Sequence, residues 1–306
     1  MQKSWMTLAC VIGLGMLSTS MRGVAAADWD PIAQEEMSMT DNPVDPGSGA
    51  VVLFKRGNVR VEERGSFWLT TIETYVRIKV FNESGLDAAN ISFEANRYLR
   101  TSKIEGRTIL RSGQIVPLDS SKVFRTNAYE SGSGTRIMKT SFALPAAEPG
   151  AILEYKLTQT SDWYFPPPWI FDTRALGTLQ SSLSVLVGPR LALAQFPMDT
   201  ARKKITAKQT RVVSGNLFTY EVNNLPPVRN EPYAVPFADQ ACAVLFSPYE
   251  ILFSDQVFPI IKNWNDVAKL LNDWYQESLK KSNDVKNKAK ELAAKLPDER
   301  ARAEAI

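Results

Sequence analysis

The 306-residue chain contains no histidine and two cysteines, Cys10 and Cys242. Without histidine there is no Ser-His-Asp or Cys-His arrangement, no His-ligated zinc or iron, and no histidine pH switch. Cys10 falls in a segment expected to be removed, and the single cysteine left cannot form an intrachain disulfide. Long apolar runs are also missing: the longest, from Trp5 to about Leu17, falls short of the ~20 residues a bilayer requires. Charge of one sign is scarce too. The 36 basic and 33 acidic residues become 34 and 33 once Lys3 and Arg22 leave with the N-terminal segment, and a net +1 gives no global field for nucleic acid.

What is present begins with an export signal. Residues 1–27 run from Gln2, Lys3 and Ser4 through the apolar stretch to Ala25-Ala26-Ala27, the order of basic start, greasy core and small-residue cleavage site. The mature chain is therefore expected to be exported, periplasmic or extracellular, with no stable membrane span after cleavage. Hydrophobic residues make up 44% and charged residues 23%, a globular mix with ample core.

Residues 28–50 carry Pro31, Pro43, Pro46, Gly47 and Gly49 and read as a connecting arm with one short helix near Ile32 to Met37. From Val51 the pattern becomes that of strands. Val51 to Phe54 is followed by an expected turn at Arg56-Gly57-Asn58. Ile72, Thr74, Val76, Ile78 and Val80 then alternate with Thr71, Glu73, Tyr75, Arg77 and Lys79, the period of a strand with one buried and one wet face. Further strands are read at Arg107 to Leu110, Ala151 to Thr158, Ser182 to Val187 and Leu217 to Val222. Short strands separated by Gly, Pro, Asn and Ser turns predict a mainly β fold, a large antiparallel β-sandwich over residues 51–262 with roughly 12 to 16 strands.

The grammar changes in residues 263–306, a short helical appendage. Val267, Leu270, Leu271 and Trp274 fall at helical spacing behind a capping Asn263 or Asn265, and a second helix runs from about Asn283 to Leu296. Asp298 to Ile306 opens a third and stops before completing an apolar face, which reads as a chain cut short. Lys286, Lys288 and Lys290 alternate with Asp284 and Glu291, as on an ordinary solvated helix rather than a nucleic-acid surface.

Trp163-Tyr164-Phe165-Pro166-Pro167-Pro168-Trp169-Ile170-Phe171 is the most unusual segment. Three prolines hold it extended between aromatics. It reads as a proline-bridged crossing pinned to the core, or as a rigid platform in which Trp163, Tyr164 and Trp169 bind a glycan or peptide. Asn224 to Pro236 is a second proline-rich crossing, and Cys242, inside an apolar run, reads as a small buried hydrophobe. Ser131-Gly132-Ser133-Gly134 has no following Lys-Ser or Lys-Thr pair, so it is an exposed turn rather than a phosphate loop. Asp28, Asp30, Glu35 and Glu36 lack the spacing of a calcium loop, and neither a metal nor a cofactor is expected.

Several pieces, in this order, carry a family resemblance: Trp29-Asp30-Pro31-Ile32, Ala50-Val51-Val52-Leu53-Phe54, and Arg77-Ile78-Lys79-Val80-Phe81-Asn82-Glu83-Ser84-Gly85. They continue with Phe142-Ala143-Leu144-Pro145, Pro149-Gly150-Ala151-Ile152-Leu153-Glu154-Tyr155, Asn224-Leu225-Pro226-Pro227 and Glu231-Pro232. Together they resemble the bacterial domain of unknown function 3857, which commonly precedes a transglutaminase-like core in exported proteins. The resemblance implies a non-catalytic accessory or scaffold domain that positions or binds substrate for a downstream Cys-His-Asp domain in cis. No residue of this chain takes a catalytic role by that route, because the family's catalytic domain would follow Ile306. The alternative is a free-standing carbohydrate- or peptide-binding module using the 163–171 segment.

Overall fold

A computed structural model describes residues 29–65, 67–96, 98–130, 136–200, 203–229, 233–253, 256–259, 263–280, 283–294, 296 and 298–305. The expected export signal with Cys10, the 131–134 loop and the Glu231-Pro232 pair lie outside them. The chain divides into two units, Met1–Ile32 and Ala33–Ile306; residues 29–32 of the first contain no helix or strand.

In the second unit, helix α1 (Gln34–Ser38) precedes strands β1 (Ala50–Arg64) and β2 (Phe67–Val80). A 3-10 turn at Glu83–Ala89, capped by Asn82 Oδ1 accepting from Ser84 N at 2.9 Å, leads to β3 (Asn90–Asn96) and β4 (Leu99–Ile109). Next come β5 (Ile115–Pro117), β6 (Phe124–Glu130), β7 (Arg136–Ala143), β8 (Ile152–Ser161) and β9 (Trp169–Ile170). They are followed by β10 (Gly177–Val187), β11 (Leu191–Met198), β12 (Thr206–Val212) and β13 (Gly215–Leu225). A short helix α2 (Phe237–Gln240) then precedes β14 (Ala243–Phe253) and β15 (Gln256–Pro259). Helices α3 (Trp264–Lys280), α4 (Asn283–Ala293) and α5 (Glu299–Ala305) end the described chain. Of the two caps expected from sequence Asn263 is made, its Oδ1 accepting from the N–H groups of Asn265 and Asp266; at the last helix Asp298 Oδ1 likewise accepts from Ala301 N. Among the described residues no helix is long and apolar enough to cross a membrane.

The fifteen strands form one eight-stranded sheet in the order β12-β13-β10-β1-β2-β8-β4-β5 and two small ones, β11-β14-β15 with β9 on β14, and β3-β7-β6. Both small sheets cover the same face of the large one, since Ile72 meets the first and Val76, Ile78 and Val80 the second, all on one side of β2. At one end Val59, Val61, Leu183, Val185 and Phe218 pack against Leu191, Leu193, Val244 and Phe246. At the other, Val52, Ile78, Leu153 and Leu157 pack against Phe142 and Leu144. Each such aliphatic side chain contributes roughly 1.5–3 kcal/mol by leaving water. Strands β1 and β2 run through both cores, which is why they are 15 and 14 residues long.

Two strand-level expectations are corrected. Arg56-Gly57-Asn58 is not a turn: β1 continues through it, paired with Tyr75, Thr74 and Glu73. Gly57 serves close packing instead, since a Cβ there would stand 2.5 Å from Trp169 Cη2 and 2.8 Å from Leu183 Cδ1. The second correction concerns the wet face of β2. Arg77 and Lys79 on that face are 2% and 1% exposed, because α1 and the arm behind it lie across this end of the sheet. The sheet also departs from pure antiparallel pairing at β1 and β10, which run parallel. The long excursion between them lets both enter from the same end.

Candidate functional site

Residues 162–168 cross from β8 to β9. Their start is fixed by backbone bonds: Thr70 Oγ1 donates to the Trp163 carbonyl at 2.6 Å, and Trp163 N donates to Ser161 Oγ at 3.2 Å. The Trp163 ring then lies between Tyr98, centroid distance 5.4 Å, and Phe165, 5.1 Å, with interplanar angles of 37° and 32°. Trp163 and Tyr98 are 40% and 39% exposed. Beside them Arg100 clamps Asp162 with two bonds of 2.6 and 2.9 Å, a surface pair that holds the Asp162 carboxyl below its usual range. Such a three-ring stack suits the flat apolar face of a sugar, or a proline or aromatic side chain.

Of the three residues singled out from sequence, Trp163 joins the stack with Tyr98 and Phe165, while Tyr164 meets Phe165 edge-on at 5.5 Å; Tyr164, Phe165 and Trp169 all pack against the core beneath. Phe165 stood in the quoted segment, but Tyr98 belongs to the loop before β4 and carries no signal at the sequence level, because only the pairing of Leu99 with Ser161 brings it near.

Trp169 takes part in a second arrangement. Lys55 Nζ lies 5.3 Å from its ring centre and donates to the carbonyls of Ile170, at 2.7 Å, and Asp172, at 3.3 Å. Enclosure of this ammonium pulls its pKa from 10.5 down to about 8, with the Asp172 charge opposing that fall. Asp172 in turn accepts from Cys242 N at 2.7 Å. Cys242 is fully buried, as read from sequence, and its Sγ stands 3.5 Å from the Lys203 carbonyl and from Thr200 Oγ1. The cluster ties β1, β9 and the start of β14 together, and no imidazole exists to draw a proton from the thiol.

A third arrangement lies on the opposite face of the large sheet. Glu154 of β8 is completely buried, with Arg77 opposite it on β2 and Arg107 opposite it on β4. Arg77 Nε donates to Oε1 at 2.7 Å, Arg107 Nε donates to Oε2 at 2.6 Å, and the Tyr75 hydroxyl donates to Oε1 as well. Burial, together with the bond to Glu154, drives the Tyr75 phenol far above its ordinary range. Burial works against the Arg77 charge, but bonds to Glu36 and Glu154 outweigh it and keep the guanidinium protonated. Its Nη1 reaches Glu36 of α1 at 2.7 Å, which pins the arm to the sheet. A lone acid inside the apolar run Ala151 to Tyr155 was the sequence signal for this network. Among the described residues no three His, Cys, Asp or Glu side chains gather as a metal-ligating set.

The fold is thus a β-sandwich in which the buried charges Arg77, Glu154 and Asp172 bond to neighbouring strands or segments. Residues 69–229 match the model of DUF3857, a domain of unknown function with a solved structure; that is more than half of the 306 residues, and the chain belongs to this family. No curated protein matches it. Among solved structures, a Parabacteroides distasonis protein provisionally named a protease aligns with a TM-score of 0.65 at 12% identity, over 84% of this chain and 49% of that one. The chain thus spans about half the length of that protein, and at such identity the likeness concerns the fold alone. Leukotriene A4 hydrolase from Saccharomyces cerevisiae aligns at a TM-score of 0.33 and 9% identity, over 66% of this chain and 29% of that one, too low to support any argument.

Two predictions follow from the buried charges. Glu154→Gln leaves two guanidinia without their carboxylate and is expected to destabilise the chain by roughly 3–5 kcal/mol, whereas Arg100→Ala at the exposed surface pair is expected to leave stability nearly unchanged; urea unfolding of both variants checks the contrast. Lys55 has a folded pKa below its unfolded one, so it costs stability in full below about pH 8, and the cost falls as pH rises toward 10.5. Measured as the difference between wild type and Lys55→Met, stability should rise by about 2 kcal/mol between pH 7.5 and 9.5; a flat or falling difference would show that the ammonium is solvated.

Proposed function

We propose that this chain is a non-catalytic, exported accessory domain that docks and positions a downstream catalytic domain of the transglutaminase-like, papain-like class. The observation that carries the reading is the face of α3. Trp264, Leu270, Leu271 and Tyr275 are 85%, 59%, 53% and 67% exposed, although Leu270 and Leu271 belong to the stripe that a soluble helix ordinarily buries. Exposed apolar patches of this kind mark interaction surfaces. The occupant is suggested by the Parabacteroides protein, which carries as much chain again beyond the part aligned here and is provisionally named a protease. The lack of histidine supports the same reading, because a Cys-His-Asp reaction has to be supplied from outside these 306 residues.

The test is the reading frame beyond the Ile306 codon, followed by activity of the longer protein with Leu270 and Leu271 both changed to Asp. The frame is expected to continue into a domain with Cys, His and Asp, and the double variant to lose about tenfold or more in activity while the sandwich keeps its melting temperature. A stop codon directly after Ile306, or activity indifferent to the double variant, removes the reading.

The Tyr98–Trp163–Phe165 stack favours a second reading, a module that binds glycans or peptides on its surface. Binding to a glycan or peptide array that disappears in Trp163→Ala, with unfolding unchanged, supports it. An array without hits for the wild type, or equal hits for the variant, counts against it.

A further inference from the structure

Where α1 lies across the large sheet, it leaves a cavity of about 620 Å³ between the arm, the end of β2 and the turn before β8. Among the described residues two cations line it, Lys79 and Arg111, while the carboxylate of Glu148 accepts from Arg111 N at 3.0 Å outside the lining. Lys79 is almost wholly buried and donates to the carbonyls of Met37, at 2.8 Å, and Gly150, at 2.6 Å. Those bonds use two of the three N–H groups of the ammonium. Burial and the nearby Arg111 charge both push the Lys79 pKa down.

The position of Arg111 is also built. Gly150 takes φ +92°, a backbone conformation that glycine alone adopts readily, and a Cβ there would stand 3.3 Å from Arg111 Cδ. The bare glycine thus lets the arginine stem lie against the same turn whose carbonyl holds Lys79. The other walls divide into hydrogen-bonding groups, Gln34, Ser38 and Thr40, and apolar ones, chiefly Met37, Met39 and Phe81.

We propose that this cavity is a binding site for small organic carboxylates with an apolar body, the carboxylate bridging Lys79 and Arg111 while the body rests on the methionines and Phe81. A carboxylate has two oxygens, one to accept from the ammonium and one from the guanidinium. Bare phosphate would leave the apolar walls unused. The unbranched methionine side chains accept bodies of different shape.

Calorimetric titration of the whole chain with N-acetyl-leucine, N-acetyl-leucinamide and inorganic phosphate tests the assignment. N-acetyl-leucine should bind saturably, and the amide, which lacks the charge, about tenfold more weakly or not at all. Arg111→Gln, an exposed position, should weaken N-acetyl-leucine about tenfold without changing the melting temperature. That variant decides the matter, since Lys79→Met is expected to disturb the arm. Absence of saturable binding, equal affinity for acid and amide, or full affinity in Arg111→Gln overturns the proposal. So does phosphate binding tighter than the organic acid, which would make the cavity a phosphate site.

Discussion

A carboxylate inside a sheet costs several kcal/mol to dehydrate, and Glu154 is tolerated only because donors from both neighbouring strands close on it. Arg77 and Arg107 approach from β2 and β4, and the Tyr75 hydroxyl completes the set. A one-residue slip of β2 or β4 against β8 would move those arginines to the other face and leave the charge unpaired, so the network selects the strand register more than it adds to net stability. The effect extends past the sheet. Arg77 uses a different nitrogen for Glu36, which brings α1 down, and α1 then presents the Met37 carbonyl to Lys79. The N-terminal arm, the burial of two cations and the cavity beside them therefore rest on one acid.

On the opposite face the same sheet is held by packing rather than charge. Strands β1 and β2 are long enough to enter two cores, one closed by β11 and β14, the other by β3 and β7. The bulge between Val52 and Phe54 lets β1 serve both, since it restores to the interior a set of side chains whose parity would otherwise place them outside. Lys55, just beyond the bulge, lands on the inner face. It is accommodated by two backbone carbonyls and the face of Trp169 rather than by an ion pair. The sheet thus carries one cation inside its sandwich and a charged network behind it, each satisfied locally.

Which parts of this were legible beforehand follows from the range of the interactions. Alternation over Thr71 to Val80, the cap at Asn263 and the apolar setting of Cys242 are local, and each is realised where it was read. Arg56-Gly57-Asn58 misled because turn composition and close packing both select glycine, and only the ring of Trp169, far along the chain, distinguishes them. The wet face of β2 misled for a related reason. Alternation tells which residues share a face but not that an arm some forty positions earlier will cover it. Tyr98 was invisible as a partner of Trp163, since ring stacking across strands depends on a register set by hydrogen bonds.

The distribution of polar chemistry bears on what such a domain is suited to do. Lys55, Tyr75 and Arg77 are bonded to protein acceptors, and Cys242 stands against a carbonyl. What faces outward is of another kind: a helix stripe of leucines and aromatics, a stack of three rings, and a cavity lined by two cations. Those features suit recognition, since apolar faces and preset charges bind without changing protonation state. The cavity lies next to the arm that Glu154 fixes, so an occupant bound there would strengthen the same contacts that set the register of the sheet. Ligand binding and the order of the N-terminal arm would then be thermodynamically linked, each favouring the other by the same free energy.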